Sequence, residues 1–315
     1  MEPVGRFAPS PSGRMHLGNL LCALLAWLSA KSRGGRMILR IEDLDVGRCP
    51  RPYADRVEED LRRLGLTWDE GGSECGPSAP YYQSDRTAVY QAALERLEKQ
   101  GLVYPCFCTR AELHAADAPH REDGQVLYPG TCRRLNPEEA ARRVRESGKS
   151  PALRLRVPEE TVSVTDGHLG PYSEYLPGDC GDFLLRRSDG MFAYQLAVVV
   201  DDAAMGVTEV VRGSDLLSST PRQLLLYRLL GLNAPRFYHL PLLLAPDGRR
   251  LSKRERDVSL GELETSYSPE EIIGKLAFLA GLNPSAAPRT PESLLSEFAW
   301  ERVPKEDVFL PENLF

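Results

Sequence analysis

The stretch RFAPSPSGRMHLGN, residues 6–19, joins a tight turn to residues that could bind phosphate groups. Its prolines fix φ and Gly13 admits a positive φ, so the pattern predicts a turn that follows a short strand. Residues 17–30 are rich in leucine and alanine and predict a helix, whose first N–H groups could bind an anion. His16 would stand at the start of that helix, and Gly18 would let a flat ring approach the backbone. An ordinary strand-to-helix connection with a surface histidine is the alternative.

A second candidate for phosphate chemistry is the basic segment at residues 249–256. It follows an apolar, β-prone stretch and the turn signal Ala-Pro-Asp-Gly. Its cationic side chains are Arg249, Arg250, Lys253, Arg254 and Arg256. A flexible lysine could follow the charge that develops on a leaving pyrophosphate, and we expect Lys253 to have this catalytic effect. A solvated basic turn is the alternative.

Three of the seven cysteines are close in sequence, namely Cys106, Cys108 and Cys132. Zinc takes four ligands, so three thiolates and one nitrogen or oxygen donor would complete a structural site. From spacing alone the fourth ligand stays open among His114, His120 and Tyr128. The alternative is that the cysteines are small buried residues. The odd number and irregular spacing of all seven favour a reducing, cytoplasmic compartment.

Charged residues follow several predicted strands. Glu42 ends one predicted strand, Asp201 and Asp202 end another, Arg212 ends a third, and Arg6 lies on the first. In an open parallel sheet, ligands bind beyond the carboxyl ends of the strands. A carboxylate would hold an ammonium group and arginine would hold carboxylates, so these charges predict a zwitterionic substrate with one further negative group. For each residue alone, a surface charge is the commoner outcome.

The elements needed to position these groups alternate between strand and helix over the first hundred residues, which predicts a doubly wound parallel α/β sheet. Predicted strands cover residues 4–8, 36–41, 152–157, 208–212 and 237–244; predicted helices cover 17–30, 53–66, 86–100, 137–147, 219–230 and 269–280. Residues 183–200 are expected to continue the sheet. We divide the chain into a first catalytic half at 1–102, an insertion at 103–179, a second catalytic half at 180–256, and a short helical segment at 257–315.

Composition limits the classes of function. With 315 residues, 42% of them hydrophobic, the chain can form a substantial core, and a net charge of −6 means that any surface for nucleic acid must be local. The apolar run at residues 20–30 is too short to span a membrane and lacks a cleavage pattern, so we expect a buried helix of a cytoplasmic protein that does not act at a membrane.

Several motifs resemble those of the glutamyl-tRNA synthetases, a family of class I aminoacyl-tRNA synthetases, and more closely those of its shortened paralogues. The matching pieces are RFAPSPSG at 6–13, HLGN at 16–19, RIED at 40–43, CFC at 106–108 with YPGTC at 128–132, FAYQLAVVVDD at 192–202, VRGSDL at 211–216 and LSK at 251–253. The resemblance implies a Rossmann-like catalytic domain with an inserted, zinc-containing, acceptor-type subdomain. It also implies an ATP-dependent ligase that uses Mg²⁺ with ATP and activates L-glutamate.

The resemblance further implies roles for individual residues. His16 and Lys253 would be catalytic, and Tyr128 would be the fourth zinc ligand. The glutamate-binding residues would be Arg6, Ala8, Ser10, Glu42, Tyr194 and Arg212; the ATP-binding residues would be His16, Gly18, Asn19, Ser252 and Lys253. Glu42 would contact the α-amino group, while Arg6 and Arg212 would bind the carboxylates. The chain departs from the family motifs at Arg250, which replaces a lysine, at Arg254, which replaces a serine, and at Asn19.

Only about 55 residues follow the basic segment, whereas the full synthetases have a long C-terminal anticodon-binding region. The resemblance to the shortened paralogues therefore implies transfer of glutamate to queuosine in the anticodon loop of tRNA(Asp), by a protein we expect to be a monomer. The insertion, with Arg133, Arg134, Arg142, Arg143 and Arg145, is the expected RNA surface. The alternatives are a truncated synthetase that charges a tRNA 3′ end, another adenylate-forming enzyme of this fold, and a non-enzymatic RNA-binding paralogue.

Overall fold

The computed structural model describes residues 2–115, 127–148, 150–249, 251 and 259–315. The strands are β1 (Val4–Phe7), β2 (Arg36–Leu39), β3 (Glu70–Gly71), β4 (Val103–Cys106), β5 (Ala152–Leu155), β6 (Thr161–Asp166), β7 (Gly170–Tyr175), β8 (Leu184–Arg186), β9 (Glu209–Gly213), β10 (Arg236–Leu240), β11 (Leu243–Leu244) and β12 (Val308–Phe309). The helices are α1 (Leu17–Lys31), α2 (Arg51–Arg63), α3 (Thr87–Lys99), α4 (Arg110–Ala115), α5 (Pro137–Ser147), α6 (Leu176–Asp179), α7 (Tyr194–Ala204), α8 (Thr220–Leu229), α9 (Leu260–Leu263), α10 (Pro269–Leu279) and α11 (Pro291–Leu294).

The central strands are parallel. Strand β1 pairs with β2, and β2 with β3, while β9 pairs with β10. The backbone N–H of Thr208 donates to the Val4 carbonyl at 2.9 Å, which places β9 beside β1. The two parallel groups thus lie side by side in the order β3-β2-β1-β9-β10, and the predicted parallel α/β sheet is confirmed. Chain order reverses between β1 and β9, and such a crevice is where ligands bind in open sheets.

Helix α1 follows β1 and is buried along most of its length. Ten hydrophobic residues from Leu17 to Ala30 are among its buried side chains, in agreement with the buried helix predicted from the apolar run. Ile272, Ile273 and Leu276 of α10 share its core cluster, so the C-terminal helices cover α1. No helix among the described residues is long and apolar enough to cross a membrane.

A second group of strands is antiparallel. Strands β4, β5 and β8 form one sheet, and β6 and β7 form a hairpin. Helix α5 has the predicted bounds, because Asn136 and Glu139 form a capping box at its start and Gly148 ends it with a φ of 62°. The division of the chain into four domains stays a prediction.

The prediction that residues 183–200 continue the sheet is wrong. Only Leu184–Arg186 is a strand, and it pairs with β5 of the antiparallel sheet, while Tyr194–Ala204 is helix α7. The run LAVVV within α7 is buried. Since a run of five apolar residues has neither a helical nor an alternating period, its valines suggested a strand that tertiary packing overrides.

Candidate active site

The predicted turn and helix N-terminus meet at His16. Gly13 has a φ of 147°, and His16 is the N-cap residue of α1, with an extended backbone at φ −100° and ψ 170°. A Cβ added at Gly18 would lie 3.2 Å from the imidazole of His16, so the glycine leaves room for this ring. The imidazole and the N–H groups of the first helical turn therefore face the same region, as anion binding requires.

Glu42 is held at the end of β2 by the turn that follows β1. Its backbone N–H donates to the Pro9 carbonyl at 2.9 Å, and its carboxylate accepts from Arg40 Nη2 at 3.1 Å. Burial raises the pKa of Glu42, although Arg40 and Arg6 lower it in part. A cationic ligand group would offset the cost of keeping this carboxylate charged.

Two arginines share one carboxylate beneath the cavity. Asp202 Oδ1 accepts from Arg40 Nη1 at 2.5 Å and lies 3.4 Å from Arg6 Nε. Arg6 also donates through Nη1 to the Val211 carbonyl at 3.1 Å, which ties β1 to β9. All three charged side chains are buried. Asp202 therefore fixes Arg6, and some N–H groups of the Arg6 guanidinium stay available to a ligand.

The prediction that Asp201 and Asp202 end a strand is wrong, because both lie on helix α7. Asp201 is buried and accepts from Gln83 Nε2 at 2.8 Å, Arg86 Nε at 2.6 Å and Tyr90 Oη at 2.8 Å. These contacts join α7 to the first turns of α3 and to the residues just before it. The two aspartates thus support the site from below and do not line the cavity.

Arg212, near the end of β9, is held by neutral acceptors. Its Nε donates to His239 Nε2 at 3.0 Å, Nη1 to Gln223 Oε1 at 2.8 Å, and Nη2 to Thr220 Oγ1 at 2.9 Å. Among the described residues, no carboxylate lies within 4.0 Å of its guanidinium. Burial lowers the pKa of Arg212, while Tyr194 beside it acts in the opposite direction. An anionic ligand would supply the missing countercharge.

Sequence reasoning did not identify Thr220, Gln223 or His239 as part of the site. Thr220 and Gln223 lie on α8, and His239 lies on β10. For His239 a signal was present, since a histidine interrupts an otherwise apolar predicted strand. No comparable signal marked the two α8 residues, which are polar members of a helix with mixed composition.

A cavity of about 580 Å³ brings the predicted residues together, and we call it the arginine pocket. Its lining includes the predicted glutamate-binding residues Arg6, Ala8, Ser10, Glu42, Tyr194 and Arg212 and the predicted ATP-binding residues His16, Gly18 and Asn19. Leu251 also lines it, whereas Ser252 and Lys253 lie outside the described residues. The volume suits a small polar ligand together with part of a nucleotide.

The three predicted metal-binding cysteines also come together. The sulfur atoms of Cys106, Cys108 and Cys132 lie within 4.8 Å of one another. Tyr128 Oη lies 3.5 Å from Cys106 Sγ and 4.0 Å from Cys108 Sγ, so it faces the same point. Four donors of this kind match the ligand number of a structural zinc site. We call these four residues the cysteine module; His120 lies outside the described residues.

The predicted RNA-binding arginines are spread over the surface near the cysteine module. Arg142 and Arg145 are exposed on α5, a helix with no buried residue, and Arg143 lies over the ring of Phe107 at 5.9 Å. Arg134 is exposed as well, whereas Arg133 forms an ion pair with Asp182. Arg133 therefore has a structural contact to a residue just beyond the insertion, while Arg134, Arg142 and Arg145 are exposed.

Comparisons with known proteins extend this description. Residues 4–294 match the family model "tRNA synthetases class I (E and Q), catalytic domain". The chain is 54% identical over 311 residues to a glutamyl-Q tRNA(Asp) synthetase of Symbiobacterium thermophilum, covering 98% of this chain and 95% of that protein. It is 49% identical over 312 residues to the protein of the same name from Nitratidesulfovibrio vulgaris, covering 98% and 96%. Its fold is similar to the crystal structure of a glutamate tRNA ligase from Elizabethkingia meningosepticum in complex with its amino acid, with a TM-score of 0.85 and 31% identity, over 100% of this chain and 68% of that one.

Proposed function

This chain belongs to the family of class I tRNA synthetases for glutamate and glutamine (E and Q), and we propose that it activates L-glutamate with ATP and transfers it to queuosine in the anticodon loop of tRNA(Asp). The observation that supports activation of glutamate is the arginine pocket, in which Glu42 and two buried arginines face one cavity. The acceptor is proposed from the relatives that carry this name, which match the chain over nearly their full lengths.

In the proposed complex, Glu42 pairs with the α-ammonium group of glutamate. Arg212 binds the side-chain carboxylate, because a planar guanidinium with neutral partners can offer its remaining N–H groups to two oxygens. Arg6 and Tyr194 complete the set, with Ala8 and Ser10 in the turn beside them. A substrate with a neutral amide would leave the Arg212 charge without a partner, which disfavours glutamine.

In the first step, an α-carboxylate oxygen of glutamate forms a bond to the α-phosphorus of ATP while the bond to pyrophosphate breaks. His16 and the N-terminus of α1 would donate to the phosphates, and Lys253 would follow the charge onto the leaving group. Gly18 and Asn19 would lie beside the nucleotide. Mg²⁺ bound to the phosphates of ATP would neutralise part of their charge. The residues mainly position the reactants.

In the second step, a hydroxyl of the cyclopentenediol ring of queuosine attacks the carbonyl carbon of glutamyl-adenylate. An ester bond forms, the bond to AMP breaks, and the hydroxyl proton is released. The exposed arginines on and near α5 would contact the RNA backbone, so binding should weaken as salt concentration rises.

We also propose that the cysteine module binds one structural zinc ion. Cys106, Cys108 and Cys132 would supply thiolates and Tyr128 the fourth ligand. Tyr104 and three of the four ligands form a separate buried cluster, too small for a hydrophobic core of its own. Metal binding would therefore hold β4 and the residues 127–135 together.

The test of the proposed function is transfer of labelled glutamate to tRNA(Asp) that contains queuosine. We expect label on this tRNA even after its 3′-terminal adenosine has been removed, and none on the same tRNA without queuosine. Glutamate-dependent ATP–pyrophosphate exchange without tRNA tests the activation step separately. Equal labelling of both tRNAs, or labelling of the terminal ribose of tRNA(Glu), would contradict the proposal and favour a synthetase that charges 3′ ends.

A further inference from the structure

The tip of the β6–β7 hairpin lies directly against β10. The backbone N–H of Gly167 donates to the Phe237 carbonyl at 2.8 Å. A Cβ at Gly167 would lie 2.2 Å from the ring of Tyr238, so the hairpin fits here only with glycine. This contact brings Asp166, the last residue of β6, to the imidazole of His239.

Asp166 and His239 form a buried chain that ends at Arg212. Asp166 Oδ2 lies 2.6 Å from His239 Nδ1, and the other ring nitrogen, Nε2, accepts from Arg212 Nε at 3.0 Å. Asp166 and His239 are both fully buried at their side chains. Neither residue lines the arginine pocket, so they would act on a ligand only through Arg212.

The hydrogen-bond pattern defines the tautomer of His239. Asp166 is a carboxylate that can only accept, so the proton of the imidazole must be on Nδ1. Nε2 then has its lone pair free to accept from Arg212, which can only donate. The opposite tautomer would set an N–H group against the guanidinium. Burial and the nearby Arg212 lower the pKa of His239, although Asp166 acts in the opposite direction, so the neutral ring is favoured.

Asp166 cannot easily turn to another partner. Its Oδ1 accepts from the backbone N–H groups of His168 at 3.0 Å, Leu169 at 2.8 Å and His239 at 3.2 Å. Oδ2 is therefore the oxygen that faces the imidazole. These three N–H groups require an acceptor at the Oδ1 position, whatever residue stands at 166.

We propose that Asp166 and His239 are positioning residues for recognition of the substrate carboxylate, because they hold Arg212 in the orientation that binds it. The inference rests on the proposed function, in which Arg212 binds the side chain of glutamate. The inference gives the β6–β7 hairpin a role in substrate specificity, although this hairpin does not line the arginine pocket. It also explains why a histidine stands inside the apolar strand β10.

The test is D166N, which keeps size and shape but replaces the acceptor at the Oδ2 position with an NH₂ donor. The three backbone N–H groups keep the amide oxygen at the Oδ1 position, so the NH₂ group faces His239 Nδ1. The imidazole must then accept at Nδ1 and carry its proton on Nε2, opposite Arg212. We expect the KM for glutamate in ATP–pyrophosphate exchange to rise about tenfold, the scale of one buried hydrogen bond replaced by a donor–donor contact. Since Arg212 would bind ground and transition states alike, kcat and the KM for ATP should change less than about twofold.

H168Q is the matched control. His168 is buried at the same hairpin tip, and its Nε2 contacts the Pro304 carbonyl at 2.9 Å, remote from Arg212. This variant loosens the hairpin but keeps the backbone N–H that Asp166 accepts from. We expect its KM for glutamate to stay within about twofold of the native value, as for a structural change outside the substrate site.

A second background separates tautomer control from folding. H239A removes the imidazole, so the KM for glutamate should rise in this variant because Arg212 Nε loses its acceptor. In the H239A background, D166N should raise the KM for glutamate further by less than about threefold, because Asp166 acts on Arg212 only through the imidazole. ¹⁵N NMR of the imidazoles gives a direct signature, and the chain has only 5 histidines to assign. His239 should show its proton on Nδ1 in the native protein and on Nε2 in D166N.

Two outcomes would overturn the inference: an unchanged KM for glutamate in a folded D166N, or the same rise in D166N and H168Q. If D166N does not fold, a native His239 with its proton on Nε2 would also overturn it. Failure of the proposed function is a different result. In that case R212A would keep native glutamate-dependent exchange, whereas failure of the inference alone leaves R212A inactive and D166N normal.

Discussion

In the arginine pocket, the two arginines are held by partners from distant parts of the chain, whereas the ligand atoms of the cysteine module face mainly one another. Arg212 on β9 is fixed by α8 and β10, and Arg6 on β1 is fixed by α7. In the cysteine module the sulfur atoms lie within 4.8 Å of one another, and three of its residues form, with Tyr104, a cluster of only four buried residues. The pocket is therefore preorganised by the fold, while the module would depend on the proposed zinc ion for its own stability.

Substitutions at the two sites should therefore act over different distances. A change in the ion pairs beneath the pocket should reach the whole molecule, because Arg6, Arg40 and Asp202 are part of the packed centre between α7 and the parallel sheet. A change in the cysteine module should stay local.

Asp202→Ala should destabilise the whole fold. It leaves Arg6 and Arg40 buried without their shared carboxylate, and loss of one partner of a buried ion pair costs about 3–5 kcal/mol. Denaturant unfolding gives this free energy. Asp189→Ala is the control, since Asp189 pairs with Arg187 at the surface and such pairs contribute about 0–1 kcal/mol. Equal losses in the two variants would show that the network under the pocket is not a stabilising centre.

Arg212→Ala should abolish recognition of glutamate with little change in the fold. The substrate carboxylate would be left desolvated and unpaired, and we expect kcat/KM for glutamate to fall by about 100-fold or more. Arg212→Lys keeps the charge but not the planar fork, so it should recover only part of the activity. ATP–pyrophosphate exchange with glutamate, glutamine and aspartate measures this. Faster exchange with glutamine or aspartate in the native protein would contradict the proposed pocket.

Much of the first part of the fold could be predicted from the sequence, because its elements are local. The turn at residues 8–13 and helix α1 depend on proline, glycine and a leucine-rich run, and β2 and α3 depend on clear apolar patterns. Arg6, Glu42 and Arg212 could be named because they lie on or just after predicted strands, whereas Ala8, Ser10 and Tyr194 were named from the resemblance to a known family. Those that lie in the described part of the chain line one cavity, while their binding roles stay predictions.

The parts that could not be predicted depend on contacts between distant residues. The valines of α7 favour a strand locally, and only the surrounding core makes the segment helical. Asp166 lies 73 positions from His239, and no local pattern links a hairpin tip to a strand in another part of the chain. The fourth ligand of the cysteine module was open for the same reason, since spacing does not show which side chain points inward.

Cys108→Ala should remove the metal and loosen only the cysteine module. We expect a single zinc ion per chain in the native protein and almost none in the variant, because zinc requires its full ligand set. Metal analysis gives the stoichiometry, and hydrogen exchange should rise in residues 103–108 and 127–135 alone. Cys180→Ala is the control, because this thiol contacts Gly181 outside the module. Full metal content in Cys108→Ala, or unfolding as extensive as in Asp202→Ala, would contradict the contrast.

The smallest expected effect is the pH dependence of glutamate binding through Glu42. Burial raises the pKa of this carboxyl above its ordinary value of 4.5, although Arg40 and Arg6 lower it in part. Pairing with an ammonium group requires the carboxylate, so kcat/KM for glutamate should fall a few-fold at mildly acidic pH, before the substrate's own side chain is protonated at about 4.3. The stability contribution of Glu42 has the opposite sign, since a raised pKa favours the folded state at low pH and this contribution is lost as the pH rises through it.

Glu42→Gln separates these two titrations. In this variant the loss at mildly acidic pH should disappear, the remaining pH dependence should follow the substrate carboxyl, and glutamate binding should be weaker at neutral pH. Calorimetry in buffers of different ionisation enthalpy should detect proton release on glutamate binding in the native protein at mildly acidic pH, because the bound ammonium lowers the pKa of Glu42. The same acid limb in Glu42→Gln and in the native protein would assign the titration to another group. Another titratable group near the pocket would then release the proton, and the ammonium group of glutamate would have to bind elsewhere in the cavity.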